Sequence, residues 1–233
     1  MNFSQFRYIT FDCYGTLIDW ESGILGVLRP MLRSHRVGLN DQGILELYAA
    51  IESRLEAGPY LPYRHVLEMT VERLTARLGF AATAEEMASL PESVRIWAPF
   101  PDTVKALARL KMRYKLGILS NIDDDLFAGS AKRLEVPFDL VITAQQVGSY
   151  KPALKNFEVL LERIGLPREE ILHVAQSRFH DIRPAKQLGL STVWVNRRHN
   201  RRGTGATPAA PGGFEPDLIV TDLGELARIA LGD

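Results

Sequence analysis

Short apolar runs bounded by polar or turn-forming residues recur along the chain and predict the strands of a sheet. Four runs are clear, and two further runs at 140–143 and 171–175 fit the same interpretation. Each run is apolar at successive positions, as expected for parallel strands that are buried on both faces. The predicted strands cover residues 8–11, 116–119, 140–143, 171–175, 192–195 and 218–220.

Helical periodicity lies between most of these runs. In one segment the apolar residues follow the spacing i, i+3, i+4, i+7 at Phe157, Leu160, Leu161 and Ile164, which is typical of a helix that buries one face. Alternation of strands with such helices predicts an α/β fold with a doubly wound parallel sheet.

The interval between the first two strands departs from this alternation. Residues 19–98 show helical patterns and no clear strand, with an apolar stripe at Leu67, Val71, Leu74 and Leu78. Thr83 and Glu86 have the spacing of a capping box, which predicts the start of another helix. An insertion here lies just beyond the carboxyl end of the first strand, where open α/β sheets bind ligands. We therefore expect a core of residues 1–18 and 99–233 and a helical cap of residues 19–98.

Composition narrows the class of protein. The chain has 233 residues, of which 46% are hydrophobic, and its 28 basic and 28 acidic residues give a net charge of zero. A neutral chain gives no support for a nucleic-acid or membrane-surface partner. No apolar run reaches the ~18 residues of a membrane-spanning helix, and the first residues lack the pattern of a signal peptide. The single cysteine, Cys13, excludes an internal disulfide. These observations predict a soluble cytoplasmic protein.

Residues 198–216 are rich in Gly, Pro and Arg, which predicts a loop. Its arginines could be interpreted as a phosphate or nucleic-acid site, but a solvated loop agrees better with the zero net charge.

Polar side chains follow four of the predicted strands at their carboxyl ends. They are Asp12, the pair Ser120 and Asn121, Lys151, and the pair Ser177 and Asp181. Because these ends meet at one edge of a parallel sheet, we expect the side chains to surround one crevice. An aspartate can act there as a nucleophile, and a lysine can offset its charge and keep it ionised.

The motifs that carry these residues occur in the order F-D-C-Y-G-T-L, L-G-I-L-S-N, Y-K-P and S-x-x-x-D. In this order, and with the helical insertion after the first motif, the chain resembles the haloacid dehalogenase superfamily. The resemblance covers about residues 1–20 and 100–233, and it implies a Rossmann-like core with a cap domain.

Two positions separate the branches of that superfamily. Its phosphatases carry D-x-D-G-T and a later G-D-x-x-x-x-D, whose acids protonate the leaving group and hold magnesium. This chain has Tyr14 at the second acid of the first pattern and Gln176 at the first acid of the later one. The pattern D-x-Y-G-T-L resembles instead the L-2-haloacid dehalogenase branch, which is free of metal. The resemblance implies no cofactor, with magnesium expected only if the chain is a phosphatase.

The resemblance also implies roles for the catalytic residues. Asp12 attacks the carbon that carries the halogen and forms an ester. Lys151 and Asp181 balance the charge of the site and assist the water that cleaves the ester. Thr16 and Ser177 orient Asp12 or this water.

For substrate binding, the resemblance implies that Ser120, Asn121 and the backbone N–H groups of Cys13 and Tyr14 hold the substrate carboxylate. The halide is expected to meet Asn121 and groups from the cap. The cap candidates are Arg54, Tyr60, Tyr63 and Arg64.

Three functions remain open at this point. The first is a hydrolase of carbon–halogen bonds that acts on short 2-haloalkanoic acids. The second is a metal-dependent phosphatase that tolerates the two replaced acids, and the third is a member with no catalysis or a different one. For partners, the sequence predicts a small-molecule substrate and neither nucleic acid nor membrane, and it is compatible with a homodimer.

Overall fold

The computed structural model of the protein describes residues 1–201, 203–209 and 212–232, and its core is a single six-stranded sheet. All five strand pairs are parallel. The strands are Tyr8–Phe11 (β1), Lys115–Ser120 (β2), Leu140–Thr143 (β3), Ile171–Ala175 (β4), Ser191–Val195 (β5) and Leu218–Val220 (β6). All six predicted strands are confirmed, and their ends shift by one residue at most.

The spatial order of the strands is β3-β2-β1-β4-β5-β6, which confirms the doubly wound α/β fold. Strand β2 pairs with one edge of β1, and β4 pairs with the other edge. The switch point of the topology therefore lies between β1 and β4, at the carboxyl ends of both strands. Open α/β sheets bind ligands at this point.

Helices cover the sheet and fill the long interval after β1. The interval contains α1 (Trp20–Ser34), α2 (Asp41–Glu56), α3 (Tyr63–Arg77) and α4 (Ala84–Ser93). The remaining helices are α5 (Thr103–Lys111), α6 (Asp124–Leu134), α7 (Ala144–Val147), α8 (Leu154–Ile164), α9 (Arg183–Gln187) and α10 (Leu223–Leu231). No helix in the described part of the chain is both long and apolar enough to cross a bilayer.

Side-chain caps explain where two of the helices after β1 begin. The side chain of Asn40 accepts a hydrogen bond from Gly43 N at 2.8 Å and caps α2. The predicted capping box is present at α4, since Thr83 N donates to Glu86 Oε2 at 2.9 Å and Glu86 N donates to Thr83 Oγ1 at 3.2 Å. The apolar stripe of α3 is buried at Leu67, Val71 and Leu74.

Asp123, which follows β2, ties the start of α3 to the sheet. Its Oδ1 accepts from Tyr63 N and its Oδ2 from Arg64 N, both at 2.9 Å. A carboxylate at this end satisfies two free N–H groups and interacts favourably with the helix dipole. The helices after β1 are thereby held over the carboxyl end of the sheet, although the proposed boundaries at 18/19 and 98/99 stay a prediction.

The segment 198–216 differs in part from the predicted solvated loop. Residues 202, 210 and 211 lie outside the described residues, and the others contain no helix or strand. Ala206 and Thr207 are buried, because Ala206 N donates to Glu21 Oε1 at 3.1 Å and Thr207 Oγ1 donates to Gln176 Oε1 at 3.0 Å. These contacts close one side of the crevice at the switch point.

Candidate active site

The predicted polar residues of the strand ends meet around one small cavity of ≈ 40 Å³. The turn after β1 directs Asp12 into it, and Gly15 allows this turn because its φ of +87° suits glycine. A Cβ at Gly15 would also lie 2.8 Å from Trp20 Nε1. The cavity is lined by Asp12, Tyr14, Trp20, Glu52, Glu56, Tyr63, Ser120, Asn121, Lys151, Gln176, Ser177, His180, Asp181 and Thr207.

Lys151 joins the two aspartates of the site. Its Nζ donates to Asp12 Oδ1 at 2.9 Å, to Asp181 Oδ1 at 2.6 Å and to the carbonyl oxygen of Leu119 at 2.9 Å. The lysine side chain is only 2% exposed, so its charge is compensated by the two carboxylates and not by solvent. A buried charge of this kind is stable only when it is paired and fully hydrogen-bonded.

Thr16 holds the other oxygen of Asp12. Its Oγ1 donates to Asp12 Oδ2 at 2.6 Å and accepts from Gln176 N at 2.9 Å. The hydroxyl thus connects the turn after β1 to the loop after β4. Both carboxylate oxygens of Asp12 are fixed in direction, one by an ammonium group and one by a hydroxyl.

Asp181 is oriented from the sheet by His173. His173 Nε2 lies 3.0 Å from Asp181 Oδ1, and His173 Nδ1 lies 2.9 Å from Thr10 Oγ1. Thr10 and His173 face each other in the register of β1 and β4. The structure therefore places a strand residue, His173, in contact with a site carboxylate.

The charges of this cluster shift the pKa values of its members. Burial lowers the pKa of Lys151, but the carboxylates of Asp12 and Asp181 outweigh it and raise this pKa to about 12. Burial raises the pKa of Asp181, but the Lys151 ammonium and His173 lower it below its usual range. Burial raises the pKa of Asp12, and here Lys151 and Thr16 offset it only in part. Asp181 holds its charge more firmly than Asp12, because Lys151 and His173 outweigh its burial, whereas the negative charge of Asp181 raises the pKa of Asp12 further.

Tyr14 lines the cavity but its hydroxyl is occupied elsewhere. Tyr14 Oη lies 2.9 Å from Ser130 Oγ on α6, and its ring packs edge-on against Trp97. Burial raises the pKa of Tyr14 well above its usual value. The phenol is therefore a poor proton donor to a leaving group at neutral pH.

Three of the four predicted groups for the substrate carboxylate offer free hydrogen-bonding capacity. Within the described chain, the N–H groups of Cys13 and Tyr14 donate to no protein acceptor, and the buried Ser120 Oγ has no partner. Asn121 is different, because its Nδ2 donates to the carbonyl oxygen of Lys151 at 3.0 Å and to both Glu56 carboxyl oxygens at 3.2 Å. Asn121 Oδ1 also accepts from Lys151 N at 2.7 Å, so Asn121 positions the backbone of Lys151.

Ser177 lies in the cavity wall beside His180. Its Oγ accepts from His180 N at 2.9 Å and lies 3.2 Å from His180 Nδ1, at the start of the π-helical turn Arg178–Ile182. This turn carries Asp181 to the lysine. Burial lowers the pKa of His180 to about 4, so the imidazole is neutral at pH 7.

Of the predicted cap residues for the halide, the structure places only Tyr63 at the cavity. Tyr63 lines the cavity, but its hydroxyl donates to Glu52 Oε1 at 2.8 Å. Arg54 is exposed, and Arg64 pairs with Glu92 at 2.6 Å and Asp125 at 3.0 Å. Neither arginine lines the cavity, so the structure does not bring these two candidates to Asp12, and their role in substrate binding stays a prediction.

Tyr60 lies in the wall of a neighbouring groove, not of the cavity itself. Its ring packs against Tyr150 with the two centroids 5.3 Å apart. The structure therefore does not bring this candidate for the halide to Asp12 either.

The cavity residues do not form a magnesium site. Lys151 contacts Oδ1 of both Asp12 and Asp181, and the amide oxygen of Gln176 accepts from Thr207 Oγ1. In the described part of the chain, no group of three or more His, Cys, Asp or Glu side chains could hold a metal. Magnesium needs several hard oxygen ligands in an octahedron, and this donor set does not supply them.

Sequence reasoning missed several residues that line the cavity. Trp20 starts α1, and Glu52 and Glu56 lie on the last turns of α2. A signal for the acids is their spacing of four, in line with Ile44 and Tyr48, which places all four side chains on one helix face. Gln176, His180 and Thr207 complete the set, and the sequence had identified Gln176 only as a replaced acid.

Comparisons with known proteins agree with this geometry. The family described as haloacid dehalogenase-like hydrolase matches residues 6–189. An (S)-2-haloacid dehalogenase of Pseudomonas sp. (strain YL) is 30% identical over 197 residues, which are 82% of this chain and 83% of that protein. A glyceraldehyde 3-phosphate phosphatase of Methanocaldococcus jannaschii is 39% identical, over 44% of this chain and 46% of that protein. The solved L-2-haloacid dehalogenase of Xanthobacter autotrophicus superposes with a TM-score of 0.80 and 23% identity, over 97% of this chain and 99% of that one.

Proposed function

The chain belongs to the haloacid dehalogenase-like hydrolase family, and from this premise we propose that it hydrolyses the carbon–halogen bond of short 2-haloalkanoic acids without a metal. The observation that carries the proposal is the contact of Lys151 Nζ with both Asp12 and Asp181. A lysine bridges the two carboxylates. The positions at which the phosphatase patterns have acids are Tyr14 and Gln176 in this chain, so these side chains neither protonate a leaving group nor bind magnesium as carboxylates. The (S)-2-haloacid dehalogenases that match over four-fifths of both chains support the same substrate class.

In the first step, a carboxylate oxygen of Asp12 attacks C2 of the substrate. The carbon–halogen bond breaks as the new carbon–oxygen bond forms, and the halide leaves with the bonding electrons. Lys151 and Thr16 fix the direction of the attacking carboxylate. A nucleophile that is already oriented lowers the activation free energy of the step. A halide is a stable anion, so this step needs no proton donor.

In the second step, water attacks the Asp12 carbonyl carbon of the ester. The bond between this carbon and the substrate oxygen breaks, and that oxygen takes up one of the two water protons, so that a 2-hydroxy acid is released. The other proton leaves to solvent as Asp12 returns to a carboxylate. Asp181 Oδ2 is buried and, within the described chain, has no hydrogen-bond partner, so it can accept a proton from the water. Asp12 keeps one oxygen from the water, and the product carries one oxygen from Asp12.

The substrate carboxylate is assigned to the donors that have no protein acceptor. These are the N–H groups of Cys13 and Tyr14 and the hydroxyl of Ser120, all at the carboxyl ends of β1 and β2. Preorganised donors of this kind bind an anion without a cost of reorganisation. This places the substrate carboxylate beside Asp12, with C2 within its reach.

A phosphatase is the second candidate, because the partial match to the phosphatase of Methanocaldococcus jannaschii has the higher identity. One panel of assays separates the two functions. The protein is incubated with 2-chloropropanoate and with p-nitrophenyl phosphate, each with EDTA and with added magnesium, and halide and phosphate are measured. We expect halide release that EDTA leaves unchanged, and phosphate release at the level of the blank.

The control is Asp12→Asn, which keeps the size of the side chain and removes the nucleophile. Halide release must disappear in this variant. Magnesium-dependent phosphate release without halide release would establish the phosphatase instead.

A further inference from the structure

Two carboxylic acids of α2 face the reaction cavity from the side opposite the sheet. Glu52 and Glu56 lie four residues apart on one helix face, and both line the cavity that contains Asp12. Glu52 is 3% exposed, and the side chain of Glu56 is 4% exposed. A plain haloacid, which is an anion, gives neither group a partner.

The hydrogen bonds of this acid pair are incomplete. Glu52 Oε1 accepts from Tyr63 Oη at 2.8 Å, but Glu52 Oε2 is buried and has no partner in the described chain. Among the described residues, Glu56 accepts only from Asn121 Nδ2, at 3.2 Å to each oxygen. A buried acceptor without a donor has lost its hydrogen bonds to water, which costs free energy. A ligand that donates a hydrogen bond to this acceptor recovers part of that free energy and binds more tightly.

No lysine or arginine of the described chain forms an ion pair with either acid. Lys151 is bound to Asp12 and Asp181, and His180 Nε2, 3.8 Å from Glu56 Oε2, belongs to a neutral imidazole at pH 7. Burial raises the pKa of Glu52 to about 7 and raises that of Glu56 well above its usual value. Two acids in this state favour a ligand whose positive charge lets them ionise.

The aromatic side chains around the pair fit the same ligand. Trp20 and Tyr63 line the cavity together with the two acids, and Trp20 packs edge-on against Tyr48. Ammonium groups are attracted to the faces of Trp and Tyr rings, most strongly where water is excluded. Acids and aromatic rings in one wall are a typical combination for binding an organic ammonium group.

We propose that Glu52 and Glu56 select the substrate by binding an ammonium group, so that the preferred substrates are 2-halo acids with an amino group a few bonds from C2. The inference rests on the proposed function, since it places the reacting carbon at Asp12. The substrate is then a zwitterion whose carboxylate meets the donors near β1 and β2 and whose ammonium meets the acids of α2. The pair is a specificity determinant and takes no part in bond breaking.

Binding of halogen-free analogues tests the acid pair independently of the reaction. Dissociation constants are measured by calorimetry for 3-aminopropanoate and 4-aminobutanoate against propanoate and butanoate. At least one amino acid should bind about tenfold or more tightly than its matched acid, and Glu52→Gln or Glu56→Gln should reduce this ratio to about threefold or less. Glu46→Gln is the control, because Glu46 lies exposed on the same helix.

Equal or weaker binding of both amino acids would overturn the inference, and so would a preference that survives both variants. If one variant fails to fold, the other gives the answer.

Halide release then separates this inference from the proposed function. With 3-amino-2-chloropropanoate and 2-chloropropanoate as substrates, we expect the amino compound to have the higher kcat/KM, mainly through a lower KM. Halide release from both at equal kcat/KM would refute the acid pair as a determinant and leave the dehalogenase intact. Halide release from neither would refute the dehalogenase, while the calorimetry still decides whether the pair binds an ammonium group.

Discussion

Lys151 and Asp181 form an ion pair in which neither side chain is more than 2% exposed, and the Nζ–Oδ1 distance is 2.6 Å. The same ammonium group contacts Asp12, so removing it would leave two buried carboxylates without their cation. The stability of the fold and the chemistry of the site therefore depend on one residue.

Replacing Lys151 tests this dependence. In Lys151→Met the free energy of unfolding should fall by about 3–5 kcal/mol, because a buried pair is broken by the loss of one partner. Halide release should be lost, since Asp12 would no longer be oriented or held ionised. Denaturant titration and a halide assay measure the two effects.

Lys155→Met is the matched control, because Lys155 is exposed and, among the residues that the structure describes, bonds only to the carbonyl oxygen of Val147. A fully active and stable Lys151→Met protein would contradict the role of the lysine.

The hydroxyl of Thr16 provides a second test. In Thr16→Val the shape of the side chain is kept while the bonds to Asp12 Oδ2 and Gln176 N are lost. We expect kcat to fall by about 10- to 100-fold, which corresponds to the ~1.5–3 kcal/mol of a hydrogen bond to a charged group. Thr70→Val is the control, since the Thr70 hydroxyl donates within its own helix, to the carbonyl oxygen of Val66, and lies outside the cavity. An unchanged kcat would show that Thr16 does not orient the nucleophile.

Tyr14 distinguishes the two enzyme classes. Its hydroxyl is bonded to Ser130 and not to Asp12, so Tyr14→Phe should keep kcat for halide release within about threefold. The free energy of unfolding should fall by about 1 kcal/mol for the lost hydrogen bond. Steady-state kinetics and denaturant titration measure both. A loss of about 100-fold or more in kcat would identify the phenol as a proton donor and contradict a reaction that needs none.

His180 makes stability depend on pH in a defined window. Burial lowers its pKa to about 4, against ~6.5 in an unfolded chain. Between these values the unfolded chain binds more protons, so this contribution to stability is present above pH ~6.5 and is lost as the pH falls toward 4. Glu52, with a pKa raised to about 7, acts in the opposite direction, since its contribution is lost as the pH rises through 7.

The expected result is therefore a difference between variants. From pH 7 to pH 4.5, His180→Gln should lose about 2–3 kcal/mol less stability than the parent protein. Denaturant titration at both pH values measures it, with His65→Gln, on an exposed part of α3, as the control. Parallel pH profiles of parent and His180→Gln would contradict a depressed pKa at this residue.

The sequence predicted the strand ends and the meeting of Asp12, Lys151 and Asp181 because a parallel sheet brings its carboxyl ends together whatever the details of packing. The contact of His173 with Asp181 could not be predicted, since it depends on the register of β1 against β4. The placement of the cap residues could not be predicted for a related reason. A helix periodicity shows which residues share a face, but not which face of α2 lies over the sheet.

For this reason the sequence indicates Arg54 as a candidate for the cavity and gives no sign that Glu52, on the same helix, lines it. In a sequence, acids and arginines on a helix both indicate a face exposed to solvent. The side of α2 that meets the cavity depends on how its neighbour α3 docks on Asp123, which the sequence does not show. Buried acids on the inner face therefore became visible only with the fold.

The central claim is that Asp12 forms an ester with the substrate, and isotope transfer tests it most directly. Excess enzyme is allowed one turnover of 2-chloropropanoate in water labelled with oxygen-18, and the peptide that contains Asp12 and the hydroxy acid product are analysed by mass spectrometry. The account predicts that the first turnover puts the label on Asp12 and leaves the product unlabelled. Label in the product of the first turnover, with none on Asp12, would contradict it, because water would then attack the substrate directly.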